Sequence, residues 1–194
     1  MTSGKIVRRV LVVSGGNQVH DYITEMLPPG EYSPVMHVTS AGEAKRLLIS
    51  MEFDLLIINT PLSDELGTEL ALDFADGIMG ILLLCKSDIY EQVCLRVEES
   101  GVLTLPKPVG RGMLYSAIKL LCAVNAKLAR LEKKNRTLQE KMADIRVVNR
   151  AKWLLIENLG MTEKDAHYYV EKQAMDTRLS RREVAESIIR TYDK

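Results

Sequence analysis

Between Arg9 and Pro106, short apolar runs recur at intervals: RVLVV at 9–13, PVMHV at 34–38, DLLIIN at 54–59, GILLLC at 80–85 and VLTLP at 102–106. Each is of strand length and is bounded by Gly, Pro, Ser or Asp, as expected of buried strands. Between them, apolar positions recur at helical spacing. The clearest case is SAGEAKRLLISM at 40–51, where Ser40 followed by Glu43 predicts a capping box. Strands that alternate with helices imply a parallel sheet with both faces covered, because parallel strands need crossover connections. The expected fold class is α/β, a doubly wound five-stranded parallel sheet over residues 5–125.

The last helix does not stop where that domain should. From Leu114 the apolar positions run Leu114, Ala117, Leu121, Val124, Leu128, Leu131, Asn135, Leu138, Met142 and Ile145, with neither Pro nor Gly between Met113 and Leu159. Steps of alternating three and four keep one seam toward a partner helix, which predicts a coiled coil over 111–149. Its dimerisation residues are Leu121, Val124, Leu128, Leu131, Asn135, Leu138, Met142 and Ile145. Asn135 sits at an a position, where a buried amide favours a parallel, in-register homodimer. Lys127 would meet Glu132 of the partner favourably, whereas Lys141 would face Arg146. A single long helix packed on its own domain is the alternative.

The remainder, 146–194, supports three helices. The first ends at Leu159-Gly160, a helix C-terminus signal. Thr162 with Asp165 starts the second and Ser180 with Glu183 the third. Ala151, Leu154, Leu155, Leu159, Ala166, Val170, Ala174, Met175, Leu179, Val184, Ala185 and Ile188 fall at helical spacing for a small core. Fewer than about 50 residues make a marginal bundle alone, so attachment to a dimeric stalk would help it.

Formal charge sums to zero over 194 residues, but unevenly. From Ala126 onward there are 16 basic and 11 acidic residues, a net of +5, which leaves 10 and 15 before it, a net of −5. That split points to a back half that meets a polyanion. Cys85, Cys94 and Cys122 are too few for a disulfide framework or a paired metal motif, and His20, His37 and His167 are isolated from one another. No metal and no cofactor is expected. No run reaches the roughly 18 apolar residues of a membrane span, so a cytoplasmic protein without membrane contact is expected.

Little in the front half suggests catalysis. Ser14-Gly-Gly-Asn17 follows the first strand but lacks the spacing and the lysine of a phosphate loop, and no nucleophile, base and oxyanion donor come together. No catalytic residues and no enzyme are expected. The strand-helix order, the polar Asn59 closing the third strand before TPLSDELG, and LPKP after the fifth together resemble the receiver domain of two-component response regulators, of flavodoxin- and CheY-like fold. The resemblance implies an acidic pair at Ser14 and Gly15, a phosphoacceptor at Asn59, a hydroxyl residue at Cys85 and a lysine at Lys107, of which only Lys107 survives. Mg²⁺ wants carboxylate oxygens and an acyl phosphate needs a carboxylate nucleophile. The expectation is a pseudo-receiver with a degenerate pocket, Asp64 being too far into the loop to substitute. With Asn59 neutral, Lys107 is expected either to be free for another anion or a partner's carboxylate, or to be a solvated loop lysine.

The segment NRAKWLLIENLGMTEKDAHYYVEKQAMDTRLSRREVAESII resembles the ANTAR domain, a three-helix RNA-binding module of bacterial antiterminators. Arg146, Ala151-Lys152, Leu155, the Gly160-Met-Thr-Glu turn, Ala166, Ala174-Met175 and Val184-Ala185 carry the match. Trp153 stands where glycine is common and Ile156 where methionine is. The combination implies a dimer that binds paired stem-loops in a nascent leader transcript and prevents a terminator from forming, under control of a regulatory protein or small ligand on the pseudo-receiver. Arg146, Arg150, Lys152, Arg178, Arg181 and Arg182 are the expected RNA contacts. Trp153, Tyr168 and Tyr169 could stack on bases, although one tyrosine is expected in the core and Trp153 could be buried. A phosphorylation-driven DNA-binding regulator and a dimeric adaptor with a protein-docking bundle are the alternatives. Salt dependence, with duplex DNA as competitor, separates them.

Overall fold

In the computed structural model residues 7–193 are described; the expected domain limits at residues 5 and 194 lie outside them. The chain divides into two compact units, one ending at Ala129 and the other beginning at Arg130.

The first unit runs β1 (Arg8–Ser14), α1 (Asn17–Met26), β2 (Tyr32–Val38), α2 (Ala41–Ser50), β3 (Leu55–Asn59), α3 (Thr68–Asp73), β4 (Gly80–Lys86), α4 (Tyr90–Val97) and β5 (Leu103–Lys107). The strands fall on the five predicted apolar runs. They form one parallel sheet in the order β2-β1-β3-β4-β5. Strand β1 shows why its sequence is continuously apolar rather than alternating. Leu11 and Val13 pack into the core on one face and Val10 and Val12 into the core on the other, all fully buried, as in a sheet with helices on both sides. Ser14 pairs with Asn59 across β1 and β3, so the carboxyl ends of the central strands bring the candidate pocket together.

Local signals set the helix starts. Ser40 Oγ accepts from Glu43 N–H at 3.2 Å, and the Glu43 carboxylate reaches back to Thr39 N–H at 3.1 Å. Gly67, just before α3, has φ +95°, and a Cβ there would stand 2.8 Å from Ile58 Cγ2. Only glycine suits both the conformation and the space.

Helix α5 (Arg111–Leu159) has 49 residues and leads into the second unit, which α6 (Glu163–Thr177) and α7 (Arg181–Tyr192) complete. Gly160, φ +64°, ends α5, as predicted. Thr162 Oγ1 accepts from Asp165 N–H, and Ser180 with Glu183 forms a complete capping box. Ala151, Leu155, Ala166, Val170, Val184, Ala185 and Ile188 form the core of this unit. Four expected members lie outside it: Leu154 is only half-buried, Leu159 and Leu179 are half exposed and Met175 is 70% exposed. Leu159 and Leu179 sit where helices end or join, and Met175 lies off the Ala166–Val170 face of α6.

By length and composition α5 is able to cross a membrane, with a window of mean hydropathy 1.2, against the expectation of no such stretch. The reason for its apolarity is visible in the fold. Leu114, Ala117, Ile118, Leu121 and Cys122 are buried in the core on one face of the sheet.

Candidate functional site

The carboxyl ends of β1, β3, β4 and β5 assemble the degenerate pocket from the predicted residues. Ser14 is fully buried; its Oγ donates to Gly16 O at 2.6 Å and lies 3.0 Å from His37 Nε2. The Lys107 ammonium donates to Asn59 Oδ1 at 2.9 Å and to Thr60 O. Lys107 is therefore neither free nor a solvated loop residue, as the sequence had suggested: it is half-buried, and the neutral amide oxygen takes the donor. Burial pushes its pKa below the ordinary lysine value. Cys85, on the neighbouring strand, is fully buried, and burial pushes its thiol up. Gly15 is exposed at the rim.

The side chains of Ser14, Gly15 and Asn59 supply no carboxylate, so they do not fit the Mg²⁺ that the receiver fold implies. Asp64 has a structural role instead. Its two carboxylate oxygens accept from Ala41 N–H at 2.8 Å and Gly42 N–H at 3.0 Å, capping the N-terminus of α2. The Gly42 and Ala41 N–H groups hold its carboxyl below the usual range.

In the second unit a cavity of about 500 Å³ is lined by Lys141, Lys152, Arg181 and Arg182, with His167, Ser180, Asn149 and Asp144 beside them and Ile145 and Val148 as apolar wall. It gathers three of the six predicted basic contacts and adds Lys141 and His167, which the linear reading missed. Arg146, Arg150 and Arg178 lie outside its lining.

Most of these cations are already ion-paired within the unit. Lys152 holds Glu163 at 2.7 Å and its side chain is only 14% exposed; Arg181 meets Glu171 at 2.8 Å. Arg182 bridges Asp144 at 2.7 Å and Glu186 at 2.9 Å, and the nearby carboxylates raise its pKa further, Asp144 first. Arg150 pairs with Asp193. Arg178 is the αL cap of α6 at φ +58°. Arg146 and Lys141 are exposed and have no ion pair among the described residues. Of the aromatic residues, Trp153 takes the exposed one of the two places left open to it, whereas the expected core tyrosine is neither Tyr168 nor Tyr169. Trp153 is 71% exposed, Tyr168 and Tyr169 both reach solvent, and the tyrosine that packs against the core is Tyr192.

Along α5 the predicted seam divides. Leu121 is buried against the sheet of its own unit, so it is a core residue and not a dimer contact. Val124, Leu128, Leu131, Leu138, Met142 and Ile145 are exposed, as is Asn135. Met113 and Leu120, absent from the predicted seam, are exposed as well. At 100° per residue they fall in line with Val124 and Leu131, so they extend the open stripe where Leu114 and Leu121 turn inward.

Residues 136–189 match the ANTAR domain. The second unit carries an ANTAR domain. Its match begins within α5, upstream of the start expected at residue 146. Over the longer span, 187 residues covering 96% of this chain and 91% of the other are 28% identical to the transcriptional regulatory protein PdtaR of Mycobacterium tuberculosis. A shorter match, 28% identical over 128 residues, covers 65% of this chain and 63% of the aliphatic amidase regulator of Pseudomonas aeruginosa. The fold ahead of the ANTAR domain is that of response-regulator receivers. A CheY-like receiver domain protein of Methanospirillum hungatei superposes with a TM-score of 0.57 at 22% identity, covering 62% of this chain and 98% of that one.

Proposed function

We propose that the protein is a cytoplasmic, RNA-binding transcription antitermination regulator. In this reading a homodimer, joined along the exposed stripe of α5, binds stem-loops in a nascent leader transcript and keeps a terminator from forming. A partner or ligand acts on a receiver that takes no phosphate. The observation that carries the reading is the ANTAR match on a unit in which Lys141, Lys152, Arg181 and Arg182 line one cavity and Trp153 is exposed. Single-stranded RNA loops are read by cations on phosphates and by aromatic or guanidinium planes on splayed bases. No step in it is catalytic.

The test is selection from a pool of structured leader RNAs by the purified full chain over a salt series, with duplex DNA as competitor. Enrichment of stem-loops sharing a loop sequence, weakened by Arg146→Ala and Lys141→Ala, is expected. Preference for duplex DNA would support the DNA-binding alternative. Absence of any nucleic-acid selection would leave the basic unit as a protein-docking module.

A further inference from the structure

The receiver unit has a second opening at the end of the sheet away from Asn59. There the amino ends of β1, β3 and β4 and one side of α5 surround a cavity of about 570 Å³, a volume typical of small-molecule sites. Its apolar walls include Phe53, Phe74, Ile78 and Met79. Helix α5 contributes the small side chains Ala126 and Ala129, which leave the space open.

The polar groups around it are unequally satisfied. Asp54 Oδ2 accepts the Arg9 backbone N–H at 2.7 Å, and the Asp54 carbonyl accepts from Gly80 N–H at 3.0 Å and from the Asn125 amide at 3.4 Å. Glu52 and Asp54 are exposed at the rim, whereas Arg8 and Arg9 are half-buried. The Arg9 guanidinium lies 5.8 Å from the centroid of the Phe53 ring, and that of Arg8 lies 5.9 Å from the Tyr32 ring. Neither guanidinium forms an ion pair with a described carboxylate. A planar fork of donors beside an aromatic wall suits a carboxylate joined to an apolar body.

We infer that this cavity binds a small organic acid, its apolar body against Phe53, Phe74, Ile78 and Met79 and its carboxylate on Arg9, whose guanidinium lies on the Phe53 face of the sheet. The bound acid would touch α5 through Asn125, Ala126 and Ala129, the turns in which the receiver unit ends. A ligand shifts a conformational equilibrium only by its differential affinity for the two states, and contact with this helix supplies the means. The regulatory role rests on the proposed function, but the binding site does not.

Calorimetric titration of the full chain with phenylacetate, 3-phenylpropionate and 4-phenylbutyrate, each beside its amide, tests the site. At least one acid should bind saturably, its amide about tenfold more weakly, and Arg9→Gln should cost the acid a similar factor. Ala126→Phe, which fills the cavity from α5, should abolish binding while circular dichroism stays unchanged. No saturable binding of any of the acids, or equal binding of acid and amide to the unaltered chain, would overturn the assignment. The titration contains no RNA, so its failure and that of the RNA reading are told apart.

Discussion

Asn59 and Lys107 define the receiver pocket, the first by what it replaces and the second by what it keeps. The Lys107 ammonium lies 2.9 Å from an amide oxygen, which accepts a hydrogen bond but cannot form an acyl phosphate. Incubation with phosphoramidate and Mg²⁺ should leave the protein without a phosphate mass gain. Asn59→Asp should also remain unlabelled, because Ser14 and Gly15 still offer the metal no carboxylate; phosphate found on the unaltered chain would sink the pseudo-receiver reading. Asp64 has a pH signature. Its native pKa is depressed by the α2 N–H groups, so its stabilisation is complete above the unfolded carboxylate value and is lost as pH falls through the native one. Asp64→Asn should therefore lower the melting temperature at neutral pH, and the gap should close in strong acid. A gap independent of pH would mean that the ionised cap contributes nothing. Strand ends made the positions of Ser14, Asn59, Cys85 and Lys107 legible in the sequence. The Lys107–Asn59 bond was not, since it joins residues 48 apart and depends on which strands are neighbours. Trp153 was ambiguous for another reason: a large aromatic on an amphipathic helix suits the core and the surface alike.

At the scale of the element, one predicted seam on α5 meets two environments, the sheet of its own unit and solvent. Leu121 and Leu128 are both leucines on one predicted seam, yet the first is 8% exposed and the second 45%. A seven-residue repeat reports that a helix has an apolar side, but it does not report whether a sheet or a second helix covers each turn. The five strands suffered no such ambiguity, because short apolar runs bounded by turn residues have few other uses. The same contrast explains Met113 and Leu120, which joined the open stripe only once the sheet had claimed Leu114 and Leu121. Leu121→Ala should destabilise the receiver unit by about 2–5 kcal/mol through a cavity. Leu128→Asp with Leu131→Asp should leave that unit's melting intact and convert the proposed dimer to monomer in sedimentation. Unchanged association would remove the stripe from the dimer interface.

For the molecule as a whole, zero net charge has a consequence for how RNA would be held. Long-range attraction to a polyanion is weak for such a chain, and selectivity has to come from the few cations and planes gathered on the ANTAR unit. Several of those cations are already engaged: Arg182 by two carboxylates, Arg181 by Glu171, Lys152 by Glu163. Contact with phosphate must compete with those pairs, so the counterions released should be fewer than the basic residues suggest. Three or four phosphates neutralised would give a log–log salt slope of about −2 to −3 on single-stranded loops. Lys141→Gln, which removes an exposed cation at the cavity, should make the slope shallower by about 0.7. Trp153→Ala should behave differently. Loss of a stacked base costs about 1–3 kcal/mol in affinity but releases no counterion, so the binding curve should shift at every salt concentration with its slope unchanged. If Trp153→Ala binds like the parent while Lys141→Gln weakens binding, the exposed indole lies outside the RNA interface and recognition rests on the cations around the cavity. If neither substitution has an effect, the cavity is not where RNA is held, and Arg146 and Arg178, outside its lining, become the residues to replace next.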